Sequence, residues 1–294
     1  MTLIATGFQA QFGYAEEATY GVAVASALWI GQVQTLTETL NQNAIDIWRM
    51  DGTARFPQYI LQGKRAPSLS LVYFPQDIGL LSGLVNSSGS PNAVSNSYDL
   101  YVYNNDTSTG LSYVGLKADK VSLAATLGEA LKATVSLQGS NSSGMLPSGL
   151  TGAGFGSDPG GLYGATSGYT PFYFISASFA STAFSGYRIL DFSVDVANTL
   201  IRVYEFGQAF VRAIPTATGE VTGQMKVTFE DLTDYNNVMS LTPADLTFNL
   251  GSTNGTPHSM TINQIEFVQY DRETTAKDIV SMTLNFHGKG VSLA

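Results

Sequence analysis

Residues 189–229 read ILDFSVDVANTLIRVYEFGQAFVRAIPTATGEVTGQMKVTF, and their alternation decides the fold. Phe192, Val194 and Val196 alternate with Ser193, Asp195 and Ala197. Asn198 and Thr199 then have turn chemistry, and Ile201, Val203 and Phe206 lead a second apolar run. After Pro215 and Gly219, Val221, Gly223, Met225, Val227 and Phe229 share one face of a strand, and Thr222, Gln224, Lys226 and Thr228 the other. Period-two alternation puts one face on a core and leaves the other for water or a polar partner. The stretch therefore predicts three successive strands. The segment that follows, EDLTDYNNVM, predicts a short helix with acidic residues in its first turn, where the helix dipole favours them.

Working outward, the same pattern occurs earlier in the chain. Leu36–Tyr73 aligns with Phe192–Phe229 at a constant offset (192 − 36 = 156) without a gap. Leu36, Leu40, Ile45 and Ile47 meet Phe192, Val196, Ile201 and Val203, and Leu69, Leu71 and Tyr73 meet Met225, Val227 and Phe229. Both copies run into a short helix, at 77–85 and 231–239, then a strand (98–103; 246–250) and a closing hairpin. In the hairpins Val121 and Leu123 correspond to Ile265 and Phe267, and Leu131, Ala133, Val135 and Leu137 to Val280, Met282, Leu284 and Phe286. The shared order of strands, helix and hairpin predicts a duplication. The alternative is the loose similarity of any two all-β sequences. Finer turns are expected at Asn41–Asn43, and a further hairpin from Tyr59–Gly63 and Pro67–Phe74. The low-complexity segment after Gly139 reads as a tether. The organisation expected is a first β-domain with an N-terminal arm (1–140), a Gly/Ser-rich linker (141–170) and a second β-domain (171–294).

Composition narrows the function. Of 294 residues only 13% are charged, about half the usual ~25%, which fits an all-β surface covered by neighbours. The net charge of −9 argues against a protein that grips nucleic-acid backbones. With no cysteine there is neither a disulfide frame nor thiolate chemistry. The opening MTLIATGFQA has no basic region and no long apolar run, so no signal peptide is expected. No apolar run approaches the ~20 residues of a spanning helix. His258 and His287 have no neighbours at ligand spacing and read as solvated surface residues. The pairs Glu16/Glu17, Glu230/Asp231 and Asp231/Asp234 read as a solvated arm and helix-start charge rather than catalytic carboxylates. Gly152, Gly154 and Gly156 lack the strand and helix that give a nucleotide-binding fingerprint its meaning. No catalytic residue, metal ligand or cofactor site is assigned, and the protein is not expected to be an enzyme.

The segment 219–235, GEVTGQMKVTFEDLTDY, resembles the tail tube proteins of long-tailed bacteriophages. The opening FGYAEEATYGVAV (12–24) and the strand 191–198 are similar to the same family. The resemblance implies an all-β fold with short helices, here two tandem β-sandwich domains. Their strands would join a closed inter-subunit β-barrel, in rings that stack as a hollow tube. It implies no cofactor and no membrane, self-association, and contacts with tape-measure, tail terminator and distal tail proteins. DNA would pass through the lumen without specific binding. The protein would reside in the virion tail after assembly in the host cytoplasm.

Three finer expectations follow. Thr222, Gln224, Lys226 and Thr228 are candidates to face the bore. Phe56, Phe210 and Val211, apolar in the connections 51–58 and 207–213, are candidates for contact between rings or subunits, unless they fold back on their own core. If each half is a full tube domain, three chains complete a pseudo-sixfold ring; the alternative is six chains with one half decorating the outside. An outer-membrane porin-like barrel and a secreted or capsid-decorating adhesin share the alternation and stay open as alternatives.

Overall fold

A computed structural model of the protein describes residues 10–24, 27–30, 32–47, 59–75, 79–85, 97–104, 109–126, 129–143, 173–179, 182–183, 189–206, 208–228, 243–251, 258–273 and 281–294. The first half runs β1 (Ala10–Glu16), β2 (Leu28–Trp29), β3 (Gln32–Ile47), β4 (Tyr59–Phe74), α1 (Gly79–Val85), β5 (Tyr98–Asn104), β6 (Thr109–Thr126), β7 (Lys132–Gln138) and β8 (Asn141–Ser143). The second runs β9 (Tyr173–Phe179), β10 (Thr182–Ala183), β11 (Ile189–Leu200), β12 (Val203–Tyr204), β13 (Val211–Ala213), β14 (Thr216–Thr228), β15 (Ala244–Gly251), β16 (His258–Glu273), β17 (Ser281–Gly288) and β18 (Gly290–Leu293). The fold is nearly all β. No helix among the described residues is long and apolar enough to cross a membrane.

The long strands form one antiparallel wall in the order β3-β4-β7-β6-β11-β14-β17-β16. Two smaller sheets lie beside it, β2-β1-β5-β6-β8 and β10-β9-β15-β16-β18. β6 and β16 belong to both layers, their first halves in a small sheet and their second halves in the wall. At each crossing the backbone turns left-handed, at Gly115 (φ 68°) and at Gln264 (φ 46°). Gln264 is the one non-glycine residue with positive φ among the described residues.

The alternation of 192–197 is realised as expected. Phe192, Val194 and Val196 are buried, and Ser193, Asp195 and Ala197 point away. One apolar core runs between the layers through both halves, from Tyr14 to Leu293. Phe192 of the wall stacks on Phe248 of the small sheet at 4.3 Å between ring centroids. Such burial stabilises by about 1.5–3 kcal/mol per large side chain. Gly223 explains itself here: a Cβ at that position would lie 2.2 Å from Cζ of Phe286, so the ring occupies the place of the missing side chain.

Several turns expected from sequence are not turns. β3 continues through Asn41–Asn43 and β11 through Asn198 and Thr199; each carries a register shift instead, between Gln42 and Ala44 and between Asn198 and Leu200. A bulge absorbs one extra residue while pairing goes on, which Asn-rich sequence permits as readily as a turn. Tyr59–Phe74 is one strand, not a hairpin. Pro67 lies just past the last β4–β7 pair, Ser68–Gln138, where a residue with no N–H is tolerated. Ile201–Phe206 is not a third wall strand but one arm of the two-stranded hairpin β12–β13. The helix expected at 77–85 is α1; the one at 231–239 lies outside the described residues, as do residues 144–170 of the expected linker. Its first residues, Asn141–Ser143, are β8.

The two halves share their pairing in detail. The shifts at Val33/Thr35 and Gln42/Ala44 in β3 fall where the alignment predicts, at Ile189/Asp191 and Asn198/Leu200 in β11. The shift at Ala118/Lys120 in β6 recurs at Phe267/Gln269 in β16, and that at Tyr98/Leu100 in β5 at Ala244/Leu246 in β15. Two sets of expected equivalences move, that of Leu69, Leu71 and Tyr73 and that of Val121 and Leu123. Leu36 pairs with Leu71, and Phe192 with Met225, so Leu71 corresponds to Met225 rather than Val227. Val121 pairs with Val135, and Tyr270 with Leu284, so Val121 corresponds to Tyr270 rather than Ile265. The first displacement keeps the face of the strand. The second reverses it, and only the bulges reveal it.

Candidate functional site

The surfaces with functional potential are the outward face of the wall, its two open edges and the hairpin arm. Cross-strand pairing aligns residues, most of them polar, across the outward face in rows. One row runs Thr35, Val72, Thr134, Ser122, Asp195, Thr222, His287 and Glu266. Charges on this face are sparse and of both signs. Lys120 Nζ lies 3.1 Å from Asp195 Oδ2, and the Ser122 hydroxyl donates to the other oxygen of the same carboxylate. Of the residues assigned to a bore, Gln224 is exposed and Thr222 and Lys226 are half-buried on this face. Thr228 is buried at the end of β14, where it pairs with Ser281 of β17.

The wall has an open edge at each end. Among the described residues β3 pairs only with β4, and the 269–273 part of β16 only with β17. The β3 positions equivalent to buried Phe192, Val194 and Val196 are half-buried Leu36, exposed Glu38 and Leu40, which is 37% exposed. An edge that leaves backbone groups and apolar side chains open invites another strand.

The arm β12–β13 does not stand free. Val211 is buried with Ala66 and Ile214. Arg65 N–H donates to Ala209 O at 2.8 Å, Arg202 Nη2 to Ser68 Oγ at 3.0 Å, and Lys64 Nζ sits 4.4 Å from the Tyr204 ring centroid. The second half's arm thus lies on β4 of the first half. Val211, a candidate for contact between rings or subunits, takes the alternative course and folds back on the chain's own core, because Ala66 of the other half receives it. Phe210 is half-buried, and Phe56 lies outside the described residues. Phe206, Ile201 and Val203 are the exposed apolar residues here. Phe206 was legible as apolar, but not as the tip.

Glu17, expected in a solvated arm, is buried; its carboxylate accepts from Gly21 N–H at 2.9 Å and Gly115 N–H at 2.7 Å. Beside it Asp99 accepts from Val24 N–H at 2.7 Å, with the Tyr101 hydroxyl also at 2.7 Å. Burial, then the Glu17 carboxyl, pushes Asp99 up to about 8, so it carries a proton at neutral pH. Lys117 is lowered by burial, and Glu17 partly offsets this. The Glu17 and Asp99 carboxyl groups bind backbone amides of the β1–β2 connection and of β6, which is a structural task. His287 Nδ1 lies 3.8 Å from Glu220 Oε1, and no cluster of three or more metal-ligating residues occurs among the described residues.

No protein of curated function matches the chain. The sequence pattern of one family matches residues 7–290, nearly its whole length. A chain built as a polar-faced β-wall with open edges and covered by that pattern end to end belongs to the phage tail tube protein family.

Proposed function

We propose that this tail tube protein carries two tandem tube domains and assembles as rings of three chains, stacked into the hollow tail tube through which viral DNA passes. The observation that carries this reading is the pairing of β6 with β11, which puts both halves of one chain into a single wall sheet. A half that merely decorated the outside would have no reason to share the wall. With eight wall strands per chain, three chains supply 3 × 8 = 24 strands, and closure removes both open edges. The polar face lines the bore, where few positive charges let DNA slide. The domains are 1–140 and 171–294 joined through 141–170, and the exposed tip of the arm, bearing Phe206, reaches the next ring. In this reading the ends of the tube meet tape-measure, terminator and distal tail proteins, and assembly takes place in the host cytoplasm.

Electron cryo-microscopy of the assembled tube tests the reading. Threefold density with both halves in the barrel wall is expected. Strict sixfold density with one half of each chain outside the barrel overturns it.

A further inference from the structure

Each chain contains a finished seam between its two halves and the two unfinished edges of another. We propose that β3 of one chain pairs with β16 of the next in the register of the internal β6–β11 seam, and that Glu38 and Arg272, opposite each other there, keep the two kinds of seam from exchanging. This rests on the ring reading above and names the partner strand and register within it.

The shared bulges fix the transfer. They equate β3 with β11 so that Glu38 stands where Val194 does, and β6 with β16 so that Arg272 stands where Leu123 does. Inside the chain Val194 pairs with Leu123, Asp195 with Ser122 and Val196 with Val121. The equivalent seam between chains sets Glu38 opposite Arg272, Thr39 opposite Asp271 and Leu40 opposite Tyr270. Exposure agrees with a missing neighbour. Val194 is 0% and Val196 5% exposed, whereas Glu38 is exposed and Leu40 is 37% exposed.

The chemistry of the two seams differs at one pair. Glu38 Oε2 accepts from the Tyr113 hydroxyl at 2.9 Å. Tyr113 pairs with Leu100 as Ile262 pairs with Leu246, so Tyr113 and Ile262 are equivalent. The first half therefore has a hydroxyl and a carboxylate where the second has Ile262 and Val194. A hydrogen-bonded carboxylate at an open edge is prepared for a cation. If β3 instead met the β6 of another chain, Glu38 would face Leu123, and β11 against β16 would set Val194 against Arg272. Either error buries a charge without its counter-charge. Self-pairing of two β3 edges would bring carboxylates together.

Because the chain has no cysteine, cross-linking reads the register directly. Oxidation of assembled protein carrying Thr39→Cys with Asp271→Cys, or Leu40→Cys with Tyr270→Cys, should give chains joined in covalent trimers. The two neighbouring pairs sample both geometries of an antiparallel ladder. Asn41→Cys with Glu273→Cys, four residues out of register, should not join. Separately, Glu38→Arg or Arg272→Glu alone should raise the concentration needed for assembly on the order of a hundredfold, and the two together should restore it. Circular dichroism of the unassembled variants checks that each folds. Tubes that form without either cross-link, or that join through the displaced pair, overturn the register while leaving the ring intact. Charge variants that assemble as wild type overturn the role of Glu38 and Arg272. A wild-type protein that forms no ring overturns this proposal and the ring reading together.

Discussion

Gln264 holds a backbone conformation that its counterpart Gly115 adopts without cost. A left-handed residue with a Cβ costs roughly 1–2 kcal/mol. Gln264→Gly should therefore raise stability, by up to about 1 kcal/mol once the loss of its hydrogen bond with Lys289 and the added freedom of the unfolded chain are set against the relief. Urea unfolding of the unassembled protein measures it. Gly223 predicts the opposite sign: Gly223→Val drives carbon into the Phe286 ring and should cost about 1–3 kcal/mol. Asp99 makes stability depend on pH. Its proton is held more tightly in the folded state (about 8 against an ordinary 3.8), so its contribution is fully present below about pH 4 and is lost as pH rises through about 8. Asp99→Asn, measured against wild type at pH 5, 7 and 9, should remove that decline, narrowing or reversing any deficit as pH rises.

Among the elements, the hairpin arm carries the clearest test. Phe206 is fully exposed at its tip, while Val211 at its base is buried. Phe206→Ser should leave rings intact but weaken stacking, by about 1.5–3 kcal/mol per buried ring if the Phe is covered by the next ring. Sedimentation of tubes against rings reads the difference; unchanged tube length argues against the contact. The strands themselves were legible because alternation is a local property: 192–197 needs no knowledge of its partners. What failed depended on partners. Asn41–Asn43 and Asn198–Thr199 have the composition of turns, and only continued pairing with β4 and β14 shows them to be bulges. Val211 looked like a contact because Ala66, which covers it, is remote in sequence. Glu17 looked solvated because the Gly115 amide that it satisfies comes from another strand. The polar face was legible at Thr222, Gln224 and Lys226; the end of the wall that buries Thr228 was not.

For the whole molecule, the sparse charge of the outward wall face would, in the proposed tube, be a property of transport. Thr222→Lys with Gln224→Lys would add 2 × 3 = 6 positive charges per ring of three chains to the proposed bore. Such tubes should hold DNA with an affinity that falls steeply with salt, and virions built from them should eject more slowly. Filter binding at two salt concentrations and ejection kinetics check both; unaltered ejection argues that this face is not the bore.

The internal β6–β11 seam would also change the kinetics of growth of the proposed tube. In a ring of three such chains, half of the seams close as a chain folds, with no second molecule involved. Each is formed at the high effective concentration of a tether and without the loss of free translation that a bimolecular contact entails. A nucleus then needs three molecules to meet instead of six, so the lag before elongation should shorten with a lower power of protein concentration than for a chain carrying a single unit.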